Sequence, residues 1–401
     1  MNTPGLHSHR LVKQLILAAV IAVQFQPQAQ SAGVLVRRVP DNGLQPVLAG
    51  DPQSGVHLLY FTRDPEDESA GHFIYRHYLE AGDDWDGPVQ VSHELYPLPH
   101  LIARAAMVVD DEQRIHVTWH RDFPLQIPDD VAWETIKPEY FYTRSGAGDT
   151  RFETERSVVD NFVTATAEAG AGLAIQGGKI SLVWHGGNAE DGEIDESHRS
   201  IYRVGSMDHG ANFGRPELAG DPRAGACGCC GLSAAYAADG RLQVVFRSAV
   251  ANSGRHTQLL EWSAPGQAPA LTRLHDWELN ACPVSTNAVN HGADGSNYTV
   301  FETKGQIYMA RLDAVAPAVT AISGGQGQGA NKHPALAFNR QGDYLVAWNE
   351  GRGTNGGGAL RWHLYGNNGD LLQSGDQDAR VPDDSAPAVI ALKNEDFLLL
   401  Y

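Results

Sequence analysis

Sulfur is scarce in this chain. Its 401 residues hold four cysteines and four methionines. Without Met1 the methionines are Met107, Met207 and Met309, which are scattered, so no Met-rich copper-binding stretch exists. Basic residues are also few: 30 Lys and Arg face 48 Asp and Glu, a formal charge of −18. Phosphate backbones need a basic footprint, so this balance excludes a nucleic-acid binder. Long apolar runs are missing, and no stretch approaches the ~20 residues of a membrane helix. Helical periodicity is almost absent. No nucleophile elbow, P-loop, HExxH or dinucleotide fingerprint is present. The glycine run at 324–329 is not followed by a helix pattern and reads as a loop.

What is present begins with an export signal. Arg10 and Lys13 precede an apolar stretch of nine residues, 15–23, and Ala29-Gln30-Ser31 offers small residues for cleavage. Residues 1–31 are therefore expected to be a signal peptide and 32–401 the mature domain. That domain is expected to be periplasmic or secreted, with no membrane insertion after cleavage. Losing Arg10 and Lys13 takes the formal charge from −18 to −20. Export also places the thiols where disulfides form.

Repetition decides the fold class. A small-residue apolar strand, a polar turn and a strand ending in an aromatic recur along the chain. The aromatic-ending strands close on Phe61, Trp119, Trp184, Phe246, Phe301 and Trp348, 47 to 65 residues apart. Turn formers precede them, among them Asp110-Asp111, Gly177-Gly178, Asp239-Gly240 and Asp294-Gly295. β repeats of this length predict an all-β chain folded as a single β-propeller of four-stranded blades. Six units begin near Gly43, Leu101, Gly170, Gly228, Pro283 and Pro334. A last strand pair, 386–390 and 396–401, ends the chain. Residues 34–39 can complete its blade, so seven blades are favoured and six are the alternative.

One loop carries a family likeness. Ser206-Met207-Asp208-His209-Gly210-Ala211-Asn212-Phe213 fits the Asp-box pattern S-x-D-x-G-x-x-W/F, and residues 145–152 look like a decayed copy. The chain thus resembles the sialidase-like, or BNR-repeat, propellers. It is most similar to exported bacterial members in which a CxCC opens one blade and a CP opens the next. Cys227-Gly228-Cys229-Cys230 and Ala281-Cys282-Pro283 match that layout, and they hold every cysteine in the chain. The resemblance implies a propeller and, as one functional reading, a glycoside hydrolase-like activity. True sialidases carry an R-I-P motif before the first inner strand. Leu44-Gln45-Pro46 stands there instead, which argues against sialic-acid hydrolysis.

Propeller topology puts the loops that lead into inner strands and the loops that leave second strands on one face. That mouth is where a small-molecule, glycan or protein ligand is expected. Arg247, Glu302 and Glu350 are the candidate catalytic residues, and Arg63, His120 and His185 the candidate ligand-binding residues. Cys227, Cys229, Cys230 and Cys282 are candidate ligands for a soft metal, copper or zinc, with His333 as a fifth because it precedes Pro334 as Cys282 precedes Pro283. Closely packed thiolates suit Cu(I), whereas zinc more often takes C-x2-C spacing. The same four thiols also permit two disulfides in three connectivities. A purely structural cluster on a protein-interaction scaffold is the third reading.

Overall fold

Seven sheets stand around one axis. The computed structural model describes residues 1, 32–53, 55–121, 125, 138–159, 163–164, 169–188, 195–322, 330–351, 356–375 and 379–401. The core of the expected signal, the glycine run at 324–329 and Asp122 lie outside them. Blade one is built on Leu44–Gly50, Val56–Arg63 and Ala70–Leu79, with three short strands pairing along its third. Blade two is Ala106–Val109, Ile115–Arg121, Glu139–Arg144 and Arg156–Ser157. Blade three is Gly172–Gln176, Lys179–Asn188, Ser200–Ser206 and Glu217–Leu218. Blade four is Ser233–Tyr236, Leu242–Arg247, Thr257–Trp262 and Ala270–His275. Blade five is Asn287–His291, Asn297–Thr303, Gln306–Arg311 and Val319–Ala321. Blade six is Ala330–Phe338, Tyr344–Gly351, Gly358–Tyr365 and Leu371–Gly375.

Blade seven joins the two ends of the chain. Ala388–Ala391 and Phe397–Leu400 form an antiparallel pair, and Val34–Arg37 adds outside them in parallel register, Val34 opposite Phe397 and Arg37 opposite Leu400. Each inner strand touches the next around the ring, and the inner strand of blade seven touches that of blade one. The ring therefore has seven blades.

The sequence pattern explains the layering. A second strand has a neighbouring blade on each face, so it reads as an unbroken apolar run. Val56–Arg63 and Leu242–Arg247 are buried almost throughout. Inner strands crowd the axis, which selects small residues such as Ala106, Ala234 and Ala388. The apolar side chains fall into seven clusters, one at each blade-to-blade interface. Between blades one and two, Trp119 packs against Phe73, Tyr96 and Phe141 with ring centroids 5.0 to 6.1 Å apart. None of the helices among the described residues is long and apolar enough to cross a membrane.

The last strand serves two interfaces by its period of two. Phe397 and Leu399 face the cluster shared with blade six, whereas Leu398 and Leu400 face that shared with blade one. Fully burying such side chains contributes roughly 1.5–3 kcal/mol each. Four of them match the whole net stability of an ordinary domain, about 5–15 kcal/mol. Deleting residues 386–401 is therefore expected to abolish cooperative thermal unfolding in calorimetry. A truncated protein with an unchanged transition would show that the ring does not need its closing blade.

Candidate functional site

The CxCC segment is a tight turn between the outer strand of blade three and the inner strand of blade four. Cys230 N–H donates to Cys227 O at 3.2 Å, which folds three thiols onto one another. Cys227 and Cys229 Sγ are 3.3 Å apart, and Cys227 donates to Cys230 Sγ at 3.4 Å. All three are buried and packed with Ile102 and Ala249. The turn is pinned on both sides. Cys227 N–H bonds Arg247 O of its own blade, and Gly231 N–H bonds Ser285 O of blade five. Gly228 N–H donates to Glu196 Oε1 at 2.9 Å, and a Cβ there would stand 1.9 Å from Arg199 Nη1 and displace that guanidinium.

Cys282 comes from the loop leading into blade five and is exposed. Its Sγ, the Cys229 Sγ and a Glu196 carboxylate oxygen all lie within 4.8 Å of one another. The four cysteines thus meet, three in the interior and one at the surface, and none is bridged.

Positive charge surrounds the sulfurs. Arg247 and Arg255 are buried, and Arg199 is largely so. Arg255 Nη1 pairs with Glu196 Oε2 at 2.6 Å, and the buried Nε atoms of Arg199 and Arg255 have no hydrogen-bond partner. Arg255 feels the charge of Cys227 and Cys229, and Arg247 that of Cys230. Burial opposes ionisation of Cys230. Hydrogen bonds from the Cys227 and Cys229 thiols and the Arg247 guanidinium outweigh it and hold this thiol well below its ordinary pKa. Hydrogen bonds to Cys229 and Cys230, then burial, hold Cys227 well above it.

The other expected mouth residues are placed as follows. Arg247 donates to Ser285 Oγ at 2.9 Å, to Arg255 O at 2.7 Å and to the backbone oxygen of Glu302, and Trp277 lies over it. Its partner in blade five is thus a carbonyl, not the Glu302 carboxylate. That carboxylate is fully buried, bonded by Gly305 N–H at 2.7 Å and paired with Lys332 at 3.3 Å. Glu350 is held by Arg361 Nε at 2.5 Å, and Arg63 reaches Asp384 of blade seven at 3.4 Å. His120 is buried against Tyr140, ring centroids 4.8 Å apart. His185 is completely buried, its two ring nitrogens have no hydrogen-bond partner among the described residues, and it feels the charge of Cys230.

His333 does not stand where its Pro-linked position suggests. Ala335 pairs with Ala347 and Ala288 with Val300, each one residue short of the strand-ending aromatic. The blade-five counterpart of His333 is therefore Thr286, four residues beyond Cys282. The two touch side by side, His333 Nδ1 3.3 Å from Thr286 Oγ1. Among the described residues, the sets of three convergent ligand atoms do not include His333.

The Asp-box-like loop lies on the opposite face, between the third and fourth strands of blade three. Ser206 Oγ accepts from Gly210 N–H at 2.9 Å, Asp208 accepts from Asn212 N–H at 2.9 Å, and Phe213 packs on Tyr142. His209 of this loop bonds Asp110 of blade two at 2.7 Å. Glu196, Arg199 and Arg255 escaped sequence reasoning, because no motif marks them, and His209 fills a variable position of the Asp-box pattern.

Comparison with known proteins gives a fold. No protein-family model matches the chain, and no curated protein matches it. Among solved structures, an α-L-arabinanase from Penicillium chrysogenum aligns over 84% of this chain and 96% of its own, with 13% identity and a TM-score of 0.53. A protein of unknown function from Dyadobacter fermentans aligns over 80% and 94%, with 12% identity and a TM-score of 0.52. A leech intramolecular trans-sialidase aligns over 84% and 70%, with 10% identity and a TM-score of 0.48.

Burial pushes the pKa of His120 and of His185 down to about 4, with His100 adding to the effect at His120 and Arg199 at His185. Both are neutral in the folded protein at pH 7, whereas an unfolded histidine titrates near 6.5. The stability they protect is present above pH 6.5 and is lost as pH falls toward 4. A shift of this size corresponds to about 3 kcal/mol for each ring. Melting temperature should therefore drop steeply over that window, and His120→Gln should flatten the drop; a variant with the wild-type pH profile would contradict the assignment. The likenesses, at 12 and 13% identity, are likenesses of fold: this chain is a β-propeller of the architecture on which an arabinanase is built.

Proposed function

We propose that this is an exported propeller, periplasmic or secreted, that binds a soft metal ion, Cu(I) before Zn(II), on its mouth face. Cys227, Cys229 and Cys230 are the ligands, and Cys282 with Glu196 guards the approach from solvent. The observation that carries the reading is three buried, unbridged thiols 3.3 and 3.4 Å apart beside three arginines. Three thiolates around one Cu(I) leave a net charge of about −2, which a buried site tolerates only with cations nearby. Arg247, Arg255 and Arg199 supply them. Sulfurs ligated to one metal at ~2.3 Å stand roughly 3.8 Å apart, so binding spreads the trio by a few tenths of an ångström.

The glycosidase reading has less support. It needs two carboxylates facing each other across an open cleft. Glu302 is buried beneath Lys332, and Glu350 is engaged by Arg361. Leu44, in the place of the R-I-P arginine, is a buried apolar residue, and Gln45 beside it donates to Pro99 O at 2.6 Å. A glycan or other small molecule remains the ligand class for the rest of the mouth.

Elemental analysis and thiol counting on protein from its native compartment test the metal reading. The expected result is one copper per chain, lost in Cys227→Ser and Cys230→Ser and weakened about tenfold or less in Cys282→Ser. Affinity should fall as pH falls, because protons compete for the thiolates. Metal-free protein with no titratable thiols would mean that the four sulfurs pair as disulfides, and the reading would be wrong.

A further inference from the structure

The cysteines form two overlapping sets of ligand atoms. The inner set is Cys227, Cys229 and Cys230. The outer set is Cys229, Cys282 and a Glu196 carboxylate oxygen, all within 4.8 Å of one another. Cys229 belongs to both. Two sulfurs on opposite sides of one metal, each at ~2.3 Å, stand roughly 4.6 Å apart. Cys229 and Cys282 are therefore near enough to share one ion.

The two sets differ in access and in chemistry. Cys227 and Cys230 are 0% exposed and Cys229 is 4% exposed, so a Cu(I) ion held by another molecule cannot meet the inner pair directly. Cys282 is exposed, as are Asn280 and Ala281 before it. Its loop is nonetheless anchored: Pro283 is buried, and its carbonyl accepts from Lys332 Nζ of blade six at 2.8 Å. Glu196 is fixed as well, one oxygen by Gly228 N–H at 2.9 Å and the other by Arg255 at 2.6 Å. A carboxylate is a hard donor, whereas thiolates select Cu(I). The outer set thus offers Cu(I) two good ligands and the inner set three, which favours passage inward.

We infer that Cys282 and Cys229 form an entry site, at which the protein takes Cu(I) from a carrier molecule by ligand exchange and passes it to the buried trio; this rests on the metal reading above. Copper stays Cu(I) throughout. The Cys282 thiolate binds the ion as one carrier ligand leaves, and Cys229 displaces the next. Cys227 and Cys230 then replace Cys282, while Cys229 never lets go. Each thiol that enters gives its proton to solvent, and Cys282 takes one up when it is released. Holding the ion beside Cys229 makes the second bond an intramolecular event, and that is the source of the rate.

Stopped-flow mixing of the reduced protein with the coloured Cu(I) complex of bicinchoninate, in the absence of oxygen, reads the transfer as loss of colour. Wild-type protein should bleach the complex at a rate that rises with protein concentration. Cys282→Ser should slow the transfer roughly a hundredfold, while equilibrium affinity weakens about tenfold or less. Cys282→Met, which keeps a soft sulfur, should fall between. Iodoacetamide on the folded, metal-free wild type should label the exposed Cys282 first and slow the transfer as the serine variant does, so the test does not depend on a substitution. After loading, Cys282 should still alkylate, because the copper has moved inward. Equal rates for wild type and Cys282→Ser, with copper bound by both, would overturn the entry site alone. Protection of Cys282 in the loaded protein would make it a resting ligand and would overturn the entry site too. Wild-type protein that takes up no copper would overturn the metal reading and the entry site with it.

Discussion

Parallel pairing of Val34–Arg37 with Phe397–Leu400 is the constraint on which the rest of the molecule hangs. Each blade is a twisted sheet with two apolar faces, and neither is covered until a neighbour arrives. Six interfaces form between blades that follow one another in sequence. The seventh needs residues more than 350 positions apart, with the loop-closure entropy that this separation implies. The pairing is parallel for a topological reason. The chain leaves Val34–Arg37 directly for the inner strand of blade one, as it would leave the fourth strand of any other blade. It therefore has a fourth strand's direction while sitting in third place.

The closed ring is also what assembles the sulfur site. The loop that leaves the second strand of blade three and the loops that lead into the inner strands of blades four and five meet on one face near the axis. Glu196 comes from the turn of blade three, the cysteine turn leads into blade four, and Ser285 and Cys282 lead into blade five. Arg247 joins them, bonding backbone or hydroxyl oxygens of blades four and five beside Cys230. Each nitrogen of that guanidinium has an acceptor from a different segment, so small displacements of one blade are felt at the thiols. Glu196 acts likewise, with one oxygen on the turn at Gly228 and the other on Arg255.

The blades were legible because a strand buried on both faces must be apolar along its length and a turn must contain turn formers. The joining of the two termini was legible for a related reason: the final strand pair lacked outer strands, and residues 34–39 lacked a partner. The meeting of Cys282 with Cys229 followed from topology. Loop conformation was not legible. A single hydrogen bond from Cys230 N–H to Cys227 O makes the CxCC run a turn, and no turn former in it announces one beyond Gly228. The match of His333 to Cys282 rested on a shared proline, whereas strand register aligns His333 with Thr286. The partners Glu196, Arg199 and Arg255 lie in loops whose contacts cross blades, where no periodicity points.

The central claim is that Cys227, Cys229 and Cys230 act together as thiolate ligands. X-ray absorption at the copper edge of the Cu(I)-loaded protein tests it most directly. A first shell dominated by three sulfur scatterers is expected, reduced in number by Cys230→Ser. A first shell of nitrogen and oxygen alone, or a spectrum that Cys230→Ser leaves unchanged, would contradict it.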